Sequence, residues 1–301
     1  MEATALRVRT PEGRSLRITE GGDPRGWPII LLHGIPLSGR LYRPQLAYAG
    51  VRGIRLISYD RPGYAGSDAL PGRNVAQAAQ DVSFIADRLG LSRLGVWGYS
   101  GGGNHALACG ALLPERVTAV AAAGAMAPYG APGLDWFAGL GSSNVDEFRA
   151  ALAGRDAMEG FLRPQWLTLQ KNGGVFWPDL MTLLSPGDLE LLQGELGEYL
   201  GAATIEALMP GFAGWTDDDL AHVAPWGFEL RPPEVPTSIW HGKSDRFVPY
   251  SHSVWLSEHL PGSELMLFDD ETHLTIFERR FPEILAWLVD RGRATGEITR
   301  G

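Results

Sequence analysis

Short apolar runs alternate along the chain with stretches of helical periodicity. The runs that predict strands cover residues 16–18, 29–32, 56–59, 94–97 and 117–123. Residues 75–89 carry the clearest helical pattern, because their apolar positions fall on one face of a helix. Alternating strands and helices form βαβ units, so the pattern predicts an α/β fold with a mostly parallel sheet between helices. The first two runs are closely spaced, which favours an antiparallel pair at the start.

The alternation stops near Tyr129 and resumes at residue 237, after a proline-rich stretch. Residues between these points have helical periods, many glycines and no convincing strand pattern. We predict a core formed by residues 1–130 and 231–301, with a helical cap inserted at residues 131–230. A length of 301 residues fits one core with an insertion. After the cap, strands are expected near 239–241 and 264–268, and helices near 250–260 and 276–291.

The predicted cap is rich in large aromatic residues. They are Trp136, Trp166, Trp177, Trp215, Trp226, Phe137, Phe148, Phe161, Phe176 and Phe212. Most are expected to pack the cap onto the core, and some to line an apolar ligand pocket. Tyr99, Trp136, Trp166 and Trp177 are the candidate substrate-binding residues. The run 217–219 of three aspartates is interpreted as the acidic first turn of a helix rather than as a metal site.

Charge and composition exclude several kinds of partner. The chain has 26 basic and 35 acidic residues, and the resulting formal charge of −9 repels nucleic acid and anionic membranes. Its most apolar stretch is much shorter than the ~20 residues of a membrane span. No signal-peptide pattern is recognised at the N-terminus, so a cytoplasmic location is expected. Without a glycine-rich phosphate loop or paired metal ligands, neither a cofactor nor a metal is expected, and the oligomeric state stays open.

The strongest chemical signal is the segment Gly98-Tyr99-Ser100-Gly101-Gly102. It lies between a predicted strand and a predicted helix. A serine on such a turn has strained backbone geometry that flanking glycines permit, and its hydroxyl is presented at the N-terminus of a helix. Ser100 is therefore the candidate nucleophile.

A serine nucleophile needs a histidine base that is oriented by a carboxylate. In enzymes built around this kind of turn, the acid and then the histidine follow the serine along the chain. His273 lies after the last predicted strand and is the candidate base, while Asp245 lies after the preceding strand and is the candidate acid. Asp269 and Asp270 are alternative acids.

Acyl transfer also needs two N–H donors for the oxyanion of the tetrahedral intermediate. The Gly101 amide directly follows the nucleophile. The Ile35 amide belongs to the segment His33-Gly34-Ile35-Pro36 at the end of a predicted strand. Ile35 and Gly101 are therefore the candidate oxyanion hole, although a simple Gly-Pro turn would also explain the first segment.

Together these motifs resemble those of the α/β-hydrolase superfamily. Residues 60–67 are similar to its Asp-x-x-Gly-x-Gly-x-Ser turn, with Ala65 inside the pattern. The His-Gly-x-Pro and His-Gly-x-x-Asp-x-x-Val-Pro segments are similar to those of its esterase, C–C bond hydrolase and prolyl aminopeptidase branches. Branches with an aspartate nucleophile are set aside because position 100 is serine. A free amino terminus in the substrate is not supported, since this chain lacks the His-Gly-Gly-Pro-Gly segment usual in prolyl aminopeptidases.

The resemblance specifies fold and chemistry better than substrate, because one scaffold supports many reactions. The leading hypothesis is a serine hydrolase that cleaves a small, largely apolar carboxylic ester. A C–C bond hydrolase or a lactonase would use the same residues. A ligand-binding protein, or an enzyme of biosynthetic acyl transfer or cyclisation, is a further alternative on this fold.

Overall fold

The central element is an eight-stranded sheet with the strand order β1-β2-β4-β3-β5-β6-β7-β8. The computed structural model describes residues 3–172 and 181–294. The strands are β1 (Thr4–Arg9), β2 (Ser15–Gly22), β3 (Trp27–Leu32), β4 (Ile54–Tyr59), β5 (Leu94–Tyr99), β6 (Val117–Ala123), β7 (Thr237–Gly242) and β8 (Glu264–Phe268). All pairs from β4 to β8 are parallel. The predicted architecture, a mostly parallel sheet flanked by helices, is confirmed.

The start of the chain differs from the prediction. β2 pairs antiparallel with β1 on one side and with β4 on the other, whereas β3 lies beyond β4 and pairs with it in parallel. The predicted antiparallel pairing of the second and third strands is therefore wrong. β1 was not predicted because Val8 is its only buried residue, so this edge strand has no apolar run.

Helices cover both faces of the sheet. They are α1 (Arg43–Val51), α2 (Gln77–Arg88), α3 (Gly101–Leu112), α4 (Ser142–Leu152), α5 (Arg155–Lys171), α6 (Pro186–Leu192), α7 (Glu195–Leu208), α8 (Ala213–Val223), α9 (Ser251–His259) and α10 (His273–Ala294). Successive strand residues point to opposite faces. Ile30 and Leu32 therefore join a core with α2, α3 and α9, while Ile29 and Leu31 join a second core with α1 and α10.

The described residues between β6 and β7 include the five helices α4 to α8 and no strand. We call residues 131–230 the cap segment. Phe176 and the candidate binding residue Trp177 lie outside the described residues. None of the described helices is both long and apolar enough to cross a membrane.

The three aspartates at 217–219 do not form the first turn of a helix, contrary to the sequence interpretation. Helix α8 begins at Ala213, so these aspartates lie in its middle, and each is at most 2% exposed. Asp218 accepts hydrogen bonds from Arg61 at 2.7 Å and from the Tyr64 hydroxyl at 2.9 Å, and it pairs with Arg73. These basic partners come from the core, so a buried ion-pair network attaches the cap segment to it.

We expect Asp218→Asn to lower the free energy of unfolding by about 3–5 kcal/mol, because it leaves buried guanidinium groups without their countercharge. Burial alone would raise the pKa of Asp218, but Arg61 and Arg73 hold that pKa well below its usual range. Because the pKa of Asp218 is lower in the folded than in the unfolded state, its ionised carboxylate stabilises the fold at pH values above the unfolded-state pKa. This stabilisation is lost as the pH falls through the folded-state pKa. The difference in the free energy of unfolding between wild type and Asp218→Asn should therefore shrink below about pH 4.

Urea denaturation at pH 7 and at lower pH values measures this effect. Asp87→Asn is the matched control, since the Asp87 side chain is 64% exposed where it pairs with Arg116. An exposed pair contributes about 0–1 kcal/mol. If Asp218→Asn and Asp87→Asn lowered the free energy of unfolding equally, the buried ion-pair network around Asp218 would not stabilise the fold.

Candidate active site

Ser100 occupies a sharp turn between the end of β5 and the start of α3. Its φ of 55° and ψ of −130° lie in a region that residues with a Cβ rarely adopt. The Ser100 N–H donates to the Ala123 carbonyl at 2.7 Å, which fixes the turn against β6. A Cβ on Gly98 would lie 2.2 Å from the Gly102 carbonyl oxygen, and one on Gly102 would lie 2.0 Å from the Leu32 carbonyl oxygen. The turn therefore requires glycine at both positions.

The candidate base and acid are directly hydrogen-bonded. His273 Nδ1 lies 2.7 Å from Asp245 Oδ2. The other oxygen, Asp245 Oδ1, accepts from the backbone N–H groups of Phe247 at 2.8 Å and Val248 at 2.9 Å. With its carboxylate fixed by the loop after β7, Asp245 can hold the imidazole in one orientation.

The alternative acids occupy different positions. Asp269 and Asp270 are both exposed at the end of β8, and Asp269 pairs with Lys243 at 2.6 Å. Neither has a hydrogen bond to His273 within the described part of the chain. The geometry therefore favours Asp245 over both.

A second histidine, His241, lies beside Asp245. His241 Nε2 is 3.2 Å from Asp245 Oδ2 and 2.7 Å from the Val248 carbonyl oxygen, and its Nδ1 is 2.6 Å from the Ser253 hydroxyl. Burial alone would raise the pKa of Asp245, but His273 and His241 hold that pKa well below its usual range. Asp245 is therefore an anion at neutral pH. This role of His241 was not predicted from the sequence, where its only signal is its place four residues before Asp245.

Aromatic rings hold His273 in place. His273 is the first residue of α10, which begins earlier than residue 276, where the sequence pattern suggested. The Phe247 ring stacks on the imidazole at 4.7 Å, and the Tyr99 ring lies 5.0 Å from it. The Tyr99 hydroxyl also donates to the His273 carbonyl at 3.0 Å. This role of Phe247 was not predicted from the sequence.

Ser100 and His273 converge on one glycine at the end of β6. A Cβ on Gly124 would lie 3.1 Å from His273 Cε1 and 3.8 Å from the Ser100 backbone nitrogen. Gly124 itself has a φ of 63°. Because His273 and Ser100 approach Gly124 this closely, the loop after β6 has no room for a side chain at position 124.

The candidate oxyanion donors are adjacent. A Cβ on Gly101 would lie 2.6 Å from Ile35 Cδ1, so the two residues pack directly against each other. Neither the Ile35 nor the Gly101 N–H donates to an acceptor among residues 3–172 and 181–294. Arg61 braces the loop that carries Ile35, since its N–H donates to His33 Nε2 at 3.1 Å and its guanidinium donates to the His33 carbonyl. With no acceptor among the described residues, the Ile35 and Gly101 N–H groups are available as the donors that stabilisation of an oxyanion requires.

A cavity of about 550 Å³ contains these groups. Ser100, His273, Ile35 and Gly101 all line it, as does Tyr99. The cap segment contributes much of the remaining wall, including Phe148, Phe161, Leu192, Leu200 and Trp215. A cavity of this size is typical of sites for small organic molecules.

Two of the candidate binding residues do not line this cavity. Trp136 packs in a buried cluster against Phe148 and His252, and its indole N–H donates to the Ala127 carbonyl at 2.8 Å. The indole N–H of Trp166 donates to the Leu208 carbonyl at 3.0 Å. The Trp136 ring thus packs the cap segment onto the core, whereas the Trp166 ring joins two helices of the cap segment. No group of three or more His, Cys, Asp or Glu side chains suited to a metal ion occurs within the described ranges.

The chain matches known proteins over most of its length. A family model described as the alpha/beta hydrolase fold matches residues 28–154. The AB hydrolase superfamily protein YisY of Bacillus subtilis is 29% identical over 91% of this chain and 94% of its own. A non-heme chloroperoxidase of Streptomyces lividans is 28% identical, with 84% of this chain and 87% of the relative covered. A pimeloyl-[acyl-carrier protein] methyl ester esterase of Nitrosomonas europaea is also 28% identical, with 88% and 94% covered.

A solved structure agrees with this similarity. A thermophilic esterase from Thermogutta terrifontis superposes with a TM-score of 0.69 at 21% identity, over 97% of this chain and all of the esterase. The chain is a member of the α/β-hydrolase superfamily. Its relatives include enzymes named as esterases, haloperoxidases and hydrolases, so membership supports a hydrolase without specifying the bond that is cleaved.

Proposed function

We propose that this protein is a serine hydrolase that cleaves small, largely apolar carboxylic esters. The observation that carries the proposal is the Asp245–His273 hydrogen bond of 2.7 Å, at a cavity that the strained Ser100 also lines. A carboxylate, an imidazole and a serine on such a turn are the parts of a nucleophilic acyl-transfer site.

The reaction proceeds through an acyl-enzyme. The Ser100 hydroxyl attacks the ester carbonyl while His273 takes its proton, and Asp245 stabilises the imidazolium. The Ile35 and Gly101 amides donate to the oxyanion. His273 then protonates the leaving alcohol, and a water molecule, deprotonated by the same histidine, releases the acid and regenerates Ser100.

The cavity wall supports an apolar acyl group. Phe148, Phe161, Leu184, Leu192 and Leu200 contribute side chains that cannot hydrogen-bond. The relative from Nitrosomonas europaea is named as a methyl ester esterase, which also supports ester chemistry. Release of acid and alcohol from short p-nitrophenyl esters tests the proposal, and turnover of lactones but of no open-chain ester would contradict it.

We expect kcat/KM to rise by about an order of magnitude or more as a neutral acyl group is extended from acetyl to hexanoyl. Each buried methylene is worth about 0.8 kcal/mol, and the apolar wall can use that energy to position the carbonyl. Initial rates along a p-nitrophenyl ester series measure the profile. A succinyl ester should react poorly beside its neutral counterpart, because no Lys or Arg side chain is among the described residues that line the cavity.

Two variants on α5 test whether the cavity wall causes the rise of kcat/KM with acyl length. Phe161→Ala should flatten this dependence on acyl length, since Phe161 lines the cavity. Leu167→Ala is the matched control and should keep the profile, because Leu167 is 46% exposed on the same helix and is not part of the lining. A flat or falling wild-type profile, or a preference for the succinyl ester, would mean that the aromatic residues only hold the cap segment together.

A further inference from the structure

Asp188 lies where the cap segment meets the turn that carries His273. It is the third residue of α6, it is 1% exposed, and it is not part of the cavity lining. Its Oδ1 accepts a hydrogen bond from the Thr272 hydroxyl and another from the Leu274 N–H at 3.3 Å. Thr272 and Leu274 are the two neighbours of His273 in the chain. One oxygen of the cap segment therefore holds the backbone on both sides of the candidate base.

The other oxygen of Asp188 has a local role. Oδ2 accepts from the Ser185 N–H and from the Ser185 hydroxyl, both at 2.9 Å, and the Asp188 N–H donates to that hydroxyl at 3.2 Å. These bonds form a capping box at the start of α6. A capping box uses one carboxylate oxygen and does not require burial. It therefore accounts for Oδ2 but not for the two bonds of Oδ1.

The bonds of Asp188 lie in a buried junction between the cap segment and α10. Leu184, just before α6, belongs to one buried apolar cluster with Leu274 and Phe277 of α10. A carboxylate placed in such surroundings costs free energy unless donors surround it. Asp188 has donors on both oxygens, so its side chain is held in one orientation towards the His273 turn.

Different groups hold the ring and the backbone of His273. Asp245 lies 2.7 Å from Nδ1, and the Phe247 ring stacks on the imidazole. These contacts orient the ring, whereas the bonds of Asp188 fix the turn from which the ring projects. A displacement of about 1 Å at a reacting group can cost about a hundredfold in rate. The position of this turn therefore matters for the reaction as much as the orientation of the ring does.

We propose that Asp188 is a positioning residue, which fixes the backbone of His273 and so makes the cap segment part of the catalytic apparatus as well as of the cavity wall. The inference rests on the proposed function, since the position of His273 affects the rate only if His273 acts as the base. Asp188 does not line the cavity, so it acts on the chemical step rather than on the binding of substrate.

Two substitutions of Asp188 test this role. Asp188→Ala removes the acceptor of both bonds, and kcat for a butyryl ester should fall about tenfold to a hundredfold while KM stays within about threefold of wild type. Asp188→Asn keeps an oxygen that can accept both bonds and should retain kcat within about threefold of wild type. Steady-state rates are measured at a temperature at which thermal unfolding curves show each protein fully folded.

Ser185→Ala is the matched control for the capping role. It removes the hydroxyl that bonds to Asp188 Oδ2 and leaves both donors to Oδ1. Loss of a cap destabilises a helix, so this variant should unfold at a lower temperature but keep kcat within about threefold of wild type. A purely structural role of Asp188 would instead lower stability and kcat together in both alanine variants.

Thr272→Val removes the same bond from its other partner, and it carries the test if Asp188→Ala does not fold. Thr275→Val is its control, because the Thr275 hydroxyl bonds to Thr272 but not to Asp188. Thr272→Val should lower kcat more than Thr275→Val does, with KM again unchanged. Equal kcat values for the two threonine variants would contradict the role of Asp188.

Labelling of Ser100 by a fluorophosphonate separates this inference from the proposed function, because it needs an activated serine but no ester turnover. If the wild type is labelled yet hydrolyses no ester, the proposed function fails and the labelling rates carry the test. Asp188→Ala should then be labelled about tenfold or more slowly than wild type and than Ser185→Ala.

Three results would overturn the positioning role and leave the proposed function standing. They are a kcat and labelling rate of Asp188→Ala within about threefold of wild type, an equal loss in Ser185→Ala, and an equal loss in Asp188→Asn. A wild type that shows neither labelling nor ester turnover would contradict both proposals.

Discussion

Ser100→Ala is expected to lower kcat for a butyryl ester by at least about 10⁴-fold, leaving only background hydrolysis. The alanine variant cannot form the proposed acyl-enzyme, while the proposed oxyanion donors Ile35 and Gly101 remain in place. The fold should be retained, because the turn depends on backbone contacts such as the bond from the Ser100 N–H to the Ala123 carbonyl. Steady-state rates with a thermal unfolding curve for each protein measure both effects.

Ser142→Ala is the matched control, since Ser142 is exposed at the start of α4 and is not part of the cavity lining. It should behave like the wild type. Activity of Ser100→Ala within tenfold of wild type would show that another residue is the nucleophile.

Asp245→Asn is expected to lower kcat by about 10³-fold to 10⁴-fold. The carboxylate accepts from His273 Nδ1, and an amide at this position permits the tautomer that cannot take the Ser100 proton. His241, 3.2 Å from the same carboxylate, would also lose its charged partner. Steady-state kinetics on a butyryl ester, with Ser100→Ala as the background, give the size of the effect.

Asp269→Asn and Asp270→Asn are the controls for this experiment. Both residues are exposed at the end of β8, so each change should alter kcat by no more than a few-fold. If Asp270→Asn were the disabling change instead, the carboxylate partner of His273 would have to be reassigned.

The parts of the site that sequence predicts best are those with local causes. Gly98 is required by a contact with the Gly102 carbonyl within the turn itself, so a short segment identifies the turn, although Gly102 also packs against the Leu32 carbonyl at the end of β3. Asp245 and His273 follow strands whose ends meet at one edge of a parallel sheet. Their juxtaposition therefore follows from chain order, and the structure has them hydrogen-bonded.

The cavity wall could not be predicted in the same way. Composition shows that the cap segment is aromatic, but which rings face the cavity depends on how its helices pack. Trp136 and Trp166 satisfy their N–H groups with backbone carbonyls away from the cavity, whereas Phe161 and Trp215 line it.

Long-range polar contacts in the cap segment could not be predicted from the sequence either. The aspartates at 217–219 suggested a helix N-terminus because acidic residues favour that position. They lie mid-helix instead, where Asp218 pairs with Arg61 and Arg73 from the core and Asp217 pairs with Arg155 at the start of α5. No local pattern encodes these pairings.

The most direct test of the central claim is covalent labelling with a fluorophosphonate, followed by mass spectrometry of the digested protein. Such a reagent reacts with a serine only when a base and oxyanion donors activate it. We expect one adduct, on the peptide that contains Ser100, and none on Ser100→Ala protein under the same conditions. An adduct on another residue, or no adduct on folded wild-type protein, would contradict the assignment of Ser100 as the nucleophile.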